Sequence, residues 1–172
     1  MPDLDRFRRA QEDPRAGFAA ALAELRAGRK TGHWIWYVFP QLAGLGRSPT
    51  ATHFGLADAG EAAAYLRDPV LGPRLVEAVA AVHAHLTGHR PARLQTLMGS
   101  HVDALKLVSC LTLFRHVARA LDATAPRPAW TALAAHADAI LAAAAAQGYP
   151  PCRFTEARSS GSREPPPSGR CP

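Results

Sequence analysis

The sequence predicts an all-α fold: a single-domain, compact bundle of about six to seven helices with a long ordered Gly-rich loop. Apolar residues recur at spacings of three and four along most of the chain, as on the buried face of a helix. Asp-Pro pairs and single glycines stand where helices typically start and end. Hydrophobic residues make up 48% and charged residues 20% of the 172 residues, which is enough apolar material for one core.

Two helices are predicted before the first tryptophan. The first covers residues 4–12 and stops before Pro14, a residue that also suits the first turn of the next helix. The second helix ends at Gly28, because glycine is the usual residue just after a helix. The apolar face of this second helix consists of Phe18, Leu22 and Leu25.

A run rich in aromatic and β-branched residues follows, at residues 34–39. The run could be a lone strand, but a strand without a partner is unstable, so we predict a helix. This helix stops by Phe39, since Pro40 disfavours helical geometry in the residue before it. Residues 41–57 contain glycines and a proline with little periodicity, which predicts the long loop. Loops of this length in compact domains are often functional.

Five further helices are predicted, over residues 59–67, 73–86, 92–98, 101–121 and 129–147. The helix over 101–121 is the most apolar, and Ser100 suits its N-cap position. After Gly148 the sequence becomes rich in proline and loses its periodicity. We therefore predict a helical domain over residues 1–148 and a disordered Pro/Ser/Arg-rich tail over residues 149–172.

Composition argues against several classes of partner. The net charge is +6, but the basic residues form no run, so we do not expect a nucleic-acid partner. No apolar run approaches the ~20 residues that span a bilayer and the start of the chain has no signal-peptide pattern, so we expect no membrane partner. Three cysteines without disulfide or metal-type spacing predict a cytoplasmic location, no metal site and no cofactor. The oligomeric state is left open.

Two charges lie on the apolar face of the helix over residues 101–121. At ~100° per residue, Asp103 and Lys106 fall among apolar side chains, where an isolated charge is costly. They would therefore be paired or lie beside a cavity, with Ser109 and Thr112 nearby. The alternative is structural: Asp103 caps the first turn and Lys106 reaches the surface over apolar neighbours.

The stretch over residues 32–48 could be the wall of a binding site. Aromatic faces beside a few polar groups are typical of ligand pockets, and glycine amides can hold an anion. Candidate ligand-binding residues here are His33, Trp34, Trp36, Gln41, Gly44, Gly46, Arg47 and Ser48. No nucleotide-loop or zinc motif is present. The alternative is that the aromatic residues form core or an exposed docking patch.

We interpret the chain as a cytoplasmic protein that binds a small anionic or nucleotide-like ligand, phosphate-containing ones included. The pocket would lie between residues 34–48 and the helix over 101–121. Asp103 and Lys106 are the candidate catalytic residues: Lys106 holds negative charge, and Asp103 orients the ligand or acts as a base, as in hydrolysis. Whether the chain is an enzyme is left open. The alternative function is a non-enzymatic protein-interaction module.

Four sequence blocks together indicate a family. They are LDRFRRAQ, LRAGRKTGHWIWYVFPQLAGLGRS, YLRDPVLGPRL and MGSHVDALKLVSCLTLF, in this order over most of residues 4–121. With them the chain resembles the mainly bacterial family catalogued as domain of unknown function 1810. The resemblance implies a mainly α-helical single domain and no settled activity. Its motif positions correspond to Trp34, Trp36, Phe39, Pro40, Gln41, Gly44, Gly46, Ser48, Gly99, Asp103, Lys106, Ser109, Thr112 and Phe114.

Overall fold

The structure, a computed structural model, describes residues 3–159 and confirms the all-α fold. The helices within these residues are α1 (Asp5–Gln11), α2 (Phe18–Arg26), α3 (Ile35–Val38), α4 (Pro49–His53), α5 (Ala59–Arg67), α6 (Leu71–Thr87), α7 (Leu94–Met98), α8 (His101–Thr124), α9 (Pro128–Ala146) and α10 (Arg153–Ser159). Their number exceeds the predicted six to seven because short helices such as α4 and α10, of five and seven residues, are not predicted.

The core is built around α8. This helix begins after Ser100, whose hydroxyl oxygen accepts a hydrogen bond from the Asp103 backbone N–H at 3.1 Å. α9 packs between α8 and α6, while α3, α5, α7 and α10 also contact α8. A helix with neighbours on most sides is apolar around most of its circumference. That position explains why α8 is the most apolar of the predicted helices.

The last long helix, α9, is long and apolar enough to cross a membrane, judged by length and composition alone. This finding corrects the expectation that no apolar run approaches that length. In the fold, α9 buries Leu133, Ala137 and Ile140, as a core helix does. Its outer side carries Asp138, which forms an ion pair with Arg119 at 2.5 Å.

Residues 41–57 contain a helix that the sequence analysis does not predict. The Ser48 hydroxyl caps α4 by accepting the Ala51 N–H at 3.1 Å, and Pro49 occupies the first helical position. An isolated parallel bridge between Leu42 and Leu56 closes the segment. The segment is therefore shaped by its own hydrogen bonds.

α10 extends the helical domain beyond the predicted boundary at residue 148. Tyr149, Cys152 and Thr155 are buried, and the Thr155 hydroxyl is 3.1 Å from the Ser109 hydroxyl. The prediction of disorder is therefore wrong for residues 149–159, because spaced residues of this segment enter the core. Residues 160–172 of the predicted tail lie outside the described residues.

The aromatic run forms α3, and most of its side chains belong to the core. Trp34 and Phe39 are fully buried, and Tyr37 is 8% exposed. The Tyr37 hydroxyl donates a hydrogen bond to the Ala16 carbonyl at 2.7 Å. These three residues therefore form part of the core rather than an exposed docking patch.

Glu24 on α2 fixes the segment that leads into α3. Its carboxylate accepts hydrogen bonds from the Thr31 N–H at 2.7 Å, the Gly32 N–H at 2.9 Å and the Trp34 indole N–H at 2.8 Å. Burial opposes ionisation, but the hydrogen bonds from Gly32, Thr31 and Trp34 outweigh it and lower the pKa of Glu24 to about 2. A charged Glu24 therefore holds residues 31–34 in place.

We expect Glu24→Gln to lower the free energy of unfolding by about 1–2 kcal/mol near neutral pH, because an amide cannot accept all three hydrogen bonds. The folded pKa of about 2 lies below the ordinary value of 4.5, so the stability that Glu24 contributes is present above pH 4.5 and is lost as the pH falls toward 2. Urea unfolding of both proteins from pH 7 to pH 3 measures this.

The matched control is Glu77→Gln, which removes a carboxylate from an exposed ion pair with Arg26 at 2.8 Å. Its effect should be small at every pH, since exposed pairs contribute little. A difference between wild type and Glu24→Gln that stays constant down to pH 3 would contradict the assignment.

Candidate functional site

Asp103 joins the segment before α3 to the first turn of α8. Its Oδ2 lies 2.7 Å from the Lys30 ammonium and its Oδ1 lies 3.0 Å from the Lys106 ammonium. Lys30 also donates a hydrogen bond to the Gly32 carbonyl at 2.5 Å. The side chains of Lys30, Asp103 and Lys106 are 6%, 15% and 18% exposed. The two charges on the apolar face of α8 are thus paired, and a third charge from a distant segment completes the cluster.

Both lysines also lie against tryptophans of the aromatic run. The Lys106 ammonium is 4.2 Å from the ring centroid of Trp36, and the Lys30 ammonium is 5.1 Å from that of Trp34. An indole face attracts a cation, more strongly where water is excluded. The structure therefore brings together the aromatic stretch and the Asp103–Lys106 pair, as the sequence predicts.

The ionisation of Asp103 follows from these contacts. Burial disfavours its charged form, but the hydrogen bonds from Lys30 and then Lys106 outweigh burial and hold the pKa of Asp103 below its ordinary value. A carboxylate with a lowered pKa and both oxygens engaged is a weak base. It is better suited to holding the Lys106 ammonium in one position.

A cavity of about 210 Å³ lies between the segment after α3 and the first turns of α8. It is lined by Gln41, Leu45, Gly46, Val102, Leu105, Lys106 and Ser109. The lining is apolar apart from an ammonium, an amide and a hydroxyl. Val102 is 55% exposed, and among residues 3–159 it is the one large hydrophobic side chain at the surface. The cavity thus combines an ammonium with an apolar wall and an exposed valine at its rim.

Four of the predicted site residues line this cavity: Gln41, Gly46, Lys106 and Ser109. The side-chain amide of Gln41 makes no hydrogen bond within the described part of the chain, so it is free to contact a ligand. The Ser109 hydroxyl is already paired with Thr155. Asp103 and Trp36 do not line the cavity, but both contact Lys106, which does.

The other predicted residues have different roles. Trp34, a predicted ligand-binding residue, is instead fully buried, with its indole N–H on Glu24, and does not line the cavity. The Thr112 hydroxyl donates to the Val108 carbonyl at 2.7 Å inside α8. Four more lie outside the cavity lining: His33, Gly44, Arg47 and Ser48. Phe154 of α10 approaches Gly44 closely, since a Cβ there would lie 3.4 Å from its ring.

Lys30 is a site residue that the sequence analysis does not identify. The chain contains only two lysines among its 20 basic residues, and both bind Asp103. The scarcity of lysine is the sequence signal that points to Lys30. In a chain that otherwise uses arginine, a lysine indicates a position where a compact ammonium is needed.

Gly99 sets the distance between α7 and the Lys30 segment. It has a left-handed backbone with φ of +76°, and a Cβ there would lie 2.6 Å from the Lys30 carbonyl oxygen. The Lys30 N–H in turn donates to the Leu97 carbonyl at 2.8 Å. Glycine is therefore required both for the turn that ends α7 and for the close approach that places Lys30 beside Asp103.

No group of three or more His, Cys, Asp or Glu side chains within residues 3–159 is arranged to hold a metal ion. The cluster of Lys30, Asp103 and Lys106 instead places one ammonium group, that of Lys106, at the edge of an apolar cavity.

The first 127 residues match the model of the family described as a protein of unknown function, DUF1810. The chain belongs to this family. A crystal structure of a conserved hypothetical protein from Mycobacterium tuberculosis is similar: it is 40% identical, with a TM-score of 0.61, over 85% of this chain and 96% of that chain. No curated protein matches the chain. The resemblance read from the sequence blocks is therefore confirmed, and neither description states an activity.

We expect Asp103→Asn to lower the free energy of unfolding by about 3 kcal/mol, because it leaves the buried Lys30 ammonium without a countercharge. Lys106→Met should cost about 1 kcal/mol or less, since Asp103 keeps Lys30 and the methionine can still cover Trp36. Urea unfolding at pH 7 measures both. Equal losses for the two variants would contradict the view that Asp103 compensates Lys30 first.

Proposed function

We propose that this member of the DUF1810 family binds a small monoanionic ligand with an apolar body in the cavity between residues 41–46 and the start of α8. The observation that carries the proposal is the Lys106 ammonium, held by Asp103 and Trp36 at the edge of an otherwise apolar cavity. The ligand's charged end would contact Lys106 and the free amide of Gln41. Its apolar part would contact Leu45, Val102 and Leu105.

The charges of the cluster support a single negative charge on the ligand. Two ammonium groups surround one carboxylate, which leaves a net charge of +1. Because Lys30 is buried and bound to Asp103 and Gly32, the unbalanced charge is more accessible at Lys106. One monoanion would neutralise it without adding a second charge to be desolvated.

The size of the cavity supports a ligand smaller than a nucleotide. About 210 Å³ is below the 300–1,000 Å³ that is usual for drug-sized ligands. Stacking of a nucleotide base on a tryptophan is not supported either, since Trp34 is buried and Lys106 covers one face of Trp36. Within the predicted class of anionic ligands, a short carboxylate therefore suits the cavity better than a nucleotide.

The same geometry favours binding over hydrolysis. A general base needs an accessible, readily protonated group, whereas both oxygens of Asp103 are engaged by ammonium groups and its pKa is lowered. The sequence suggests two roles for Asp103, orienting the ligand or acting as a base, and we assign it the orienting role. Lys106 is the residue that contacts the ligand.

Butyrate and its neutral isostere butyramide test this assignment. Butyrate should shift the NMR signals of the Gln41 side-chain amide, Gly46 and the Val102 methyl groups saturably, with a millimolar Kd typical of so small a ligand. Lys106→Met should weaken butyrate binding at least about tenfold, because a hydrogen bond to a charged group contributes about 1.5–3 kcal/mol. Gln41→Ala should weaken it less.

Arg9→Gln is the control, since it removes one positive charge from an exposed position of α1 outside the cavity lining. It should leave butyrate binding unchanged. Equal affinity for butyramide, or full affinity in a folded Lys106→Met protein, would overturn the proposal.

A second function, protein interaction, is favoured by one observation: the exposure of Val102 at the cavity rim. The contact would be centred on this valine rather than on the buried aromatic residues. In that case the Val102 methyl signals would broaden as protein concentration rises, Val102→Asp would abolish the broadening, and butyrate would have no effect.

A further inference from the structure

We propose a second ligand site, for a dianionic phosphoryl group, in the depression between Arg29, after α2, and Arg93, before α7. The depression has a volume of about 390 Å³ and is lined by Arg29, Arg93, Gln95, Thr96 and Gly99. None of these residues lines the cavity beside Lys106. The proposal therefore does not depend on the function proposed above.

The two arginines have no countercharge of their own. Within residues 3–159 neither guanidinium forms an ion pair or a hydrogen bond, and the two line the same depression. No carboxylate lines the depression. The nearest acidic residue along the chain, Glu24, directs its carboxylate to Thr31, Gly32 and Trp34 instead. Two adjacent positive charges are thus left for an external anion.

The backbone on both sides of Arg93 is clamped by one side chain. The Gln147 amide donates to the Ala92 carbonyl at 3.2 Å and accepts the Leu94 N–H at 2.7 Å. These hydrogen bonds tie the segment that carries Arg93 to the end of α9. A fixed backbone reduces the entropy that a ligand must remove from this side of the site.

The backbone that carries Arg29 is fixed as well. Its N–H donates to the Glu24 carbonyl at 3.1 Å, and the next residue, Lys30, donates to the Leu97 carbonyl of α7 at 2.8 Å. Arg29 and Arg93 therefore stand on segments that are both hydrogen-bonded into the fold.

The chemistry of the lining points to a phosphoryl group. Guanidinium groups bind phosphate oxygens in pairs of parallel hydrogen bonds, and two of them balance a charge of −2. The Thr96 hydroxyl and the Gln95 amide nitrogen make no hydrogen bond within the described residues and can donate to further oxygens. The Gln95 carbonyl oxygen is engaged by the Tyr149 hydroxyl at 3.2 Å, which leaves its N–H groups free.

The probes for this site are inorganic phosphate and methyl phosphate, titrated at pH 7.5 with ionic strength held constant by sodium chloride. The arginine Nε–H signals of Arg29 and Arg93 should shift saturably with both probes. Arg29→Gln and Arg93→Gln should each weaken binding at least about tenfold. Both side chains are exposed and unpaired, so the variants should keep the amide spectrum of the folded protein.

Arg90→Gln is the matched control, because it removes the same charge three residues from Arg93 and outside the lining. It should change phosphate affinity less than twofold, and so should Lys106→Met, whose site is separate. Equal weakening by Arg90→Gln would overturn the proposal in favour of diffuse charge attraction. Tighter binding of a short single-stranded RNA, without saturable binding of either phosphate probe, would overturn it in favour of a nucleic-acid surface.

Discussion

One carboxylate, that of Asp103, connects two parts of the chain that are about seventy residues apart. It holds Lys30 from the segment after α2 and Lys106 from its own helix. Because Lys30 is buried, the segment cannot leave α8 without exposing a charge pair or leaving an ammonium unpaired. This contact, together with the hydrogen bonds from residues 31–34 to Glu24, holds the start of the aromatic run against α8. It also holds Lys106 at the edge of the cavity.

The choice of lysine at both positions has a physical reason. A guanidinium is planar and presents its donors in a fixed fork, which suits paired hydrogen bonds to one carboxylate. An ammonium is compact and donates in three directions, which suits the contacts of Lys30 with Asp103 and Gly32. A composition that strongly favours arginine makes these two exceptions informative.

The sequence predicts the fold class, most of the helices and the meeting of the aromatic stretch with Asp103 and Lys106, because each depends on local periodicity or on the cost of burying charge. It does not predict Lys30 as the partner of Asp103, since that pairing is tertiary. It also misses α10, whose packing depends on isolated buried residues such as Thr155 rather than on a continuous apolar face. The aromatic character of Trp34 predicts a place at the site, but its indole N–H is bound to Glu24 in the core.

α10 has a consequence for comparing members of this family. The match that defines the family ends at residue 127, whereas Phe154 lies against Gly44 and Thr155 binds Ser109 beside the cavity. The packing behind Ser109, which lines the cavity, is thus contributed by a part of the chain beyond the matched region. A family match that stops at residue 127 therefore does not cover the segment that supports this side of the cavity.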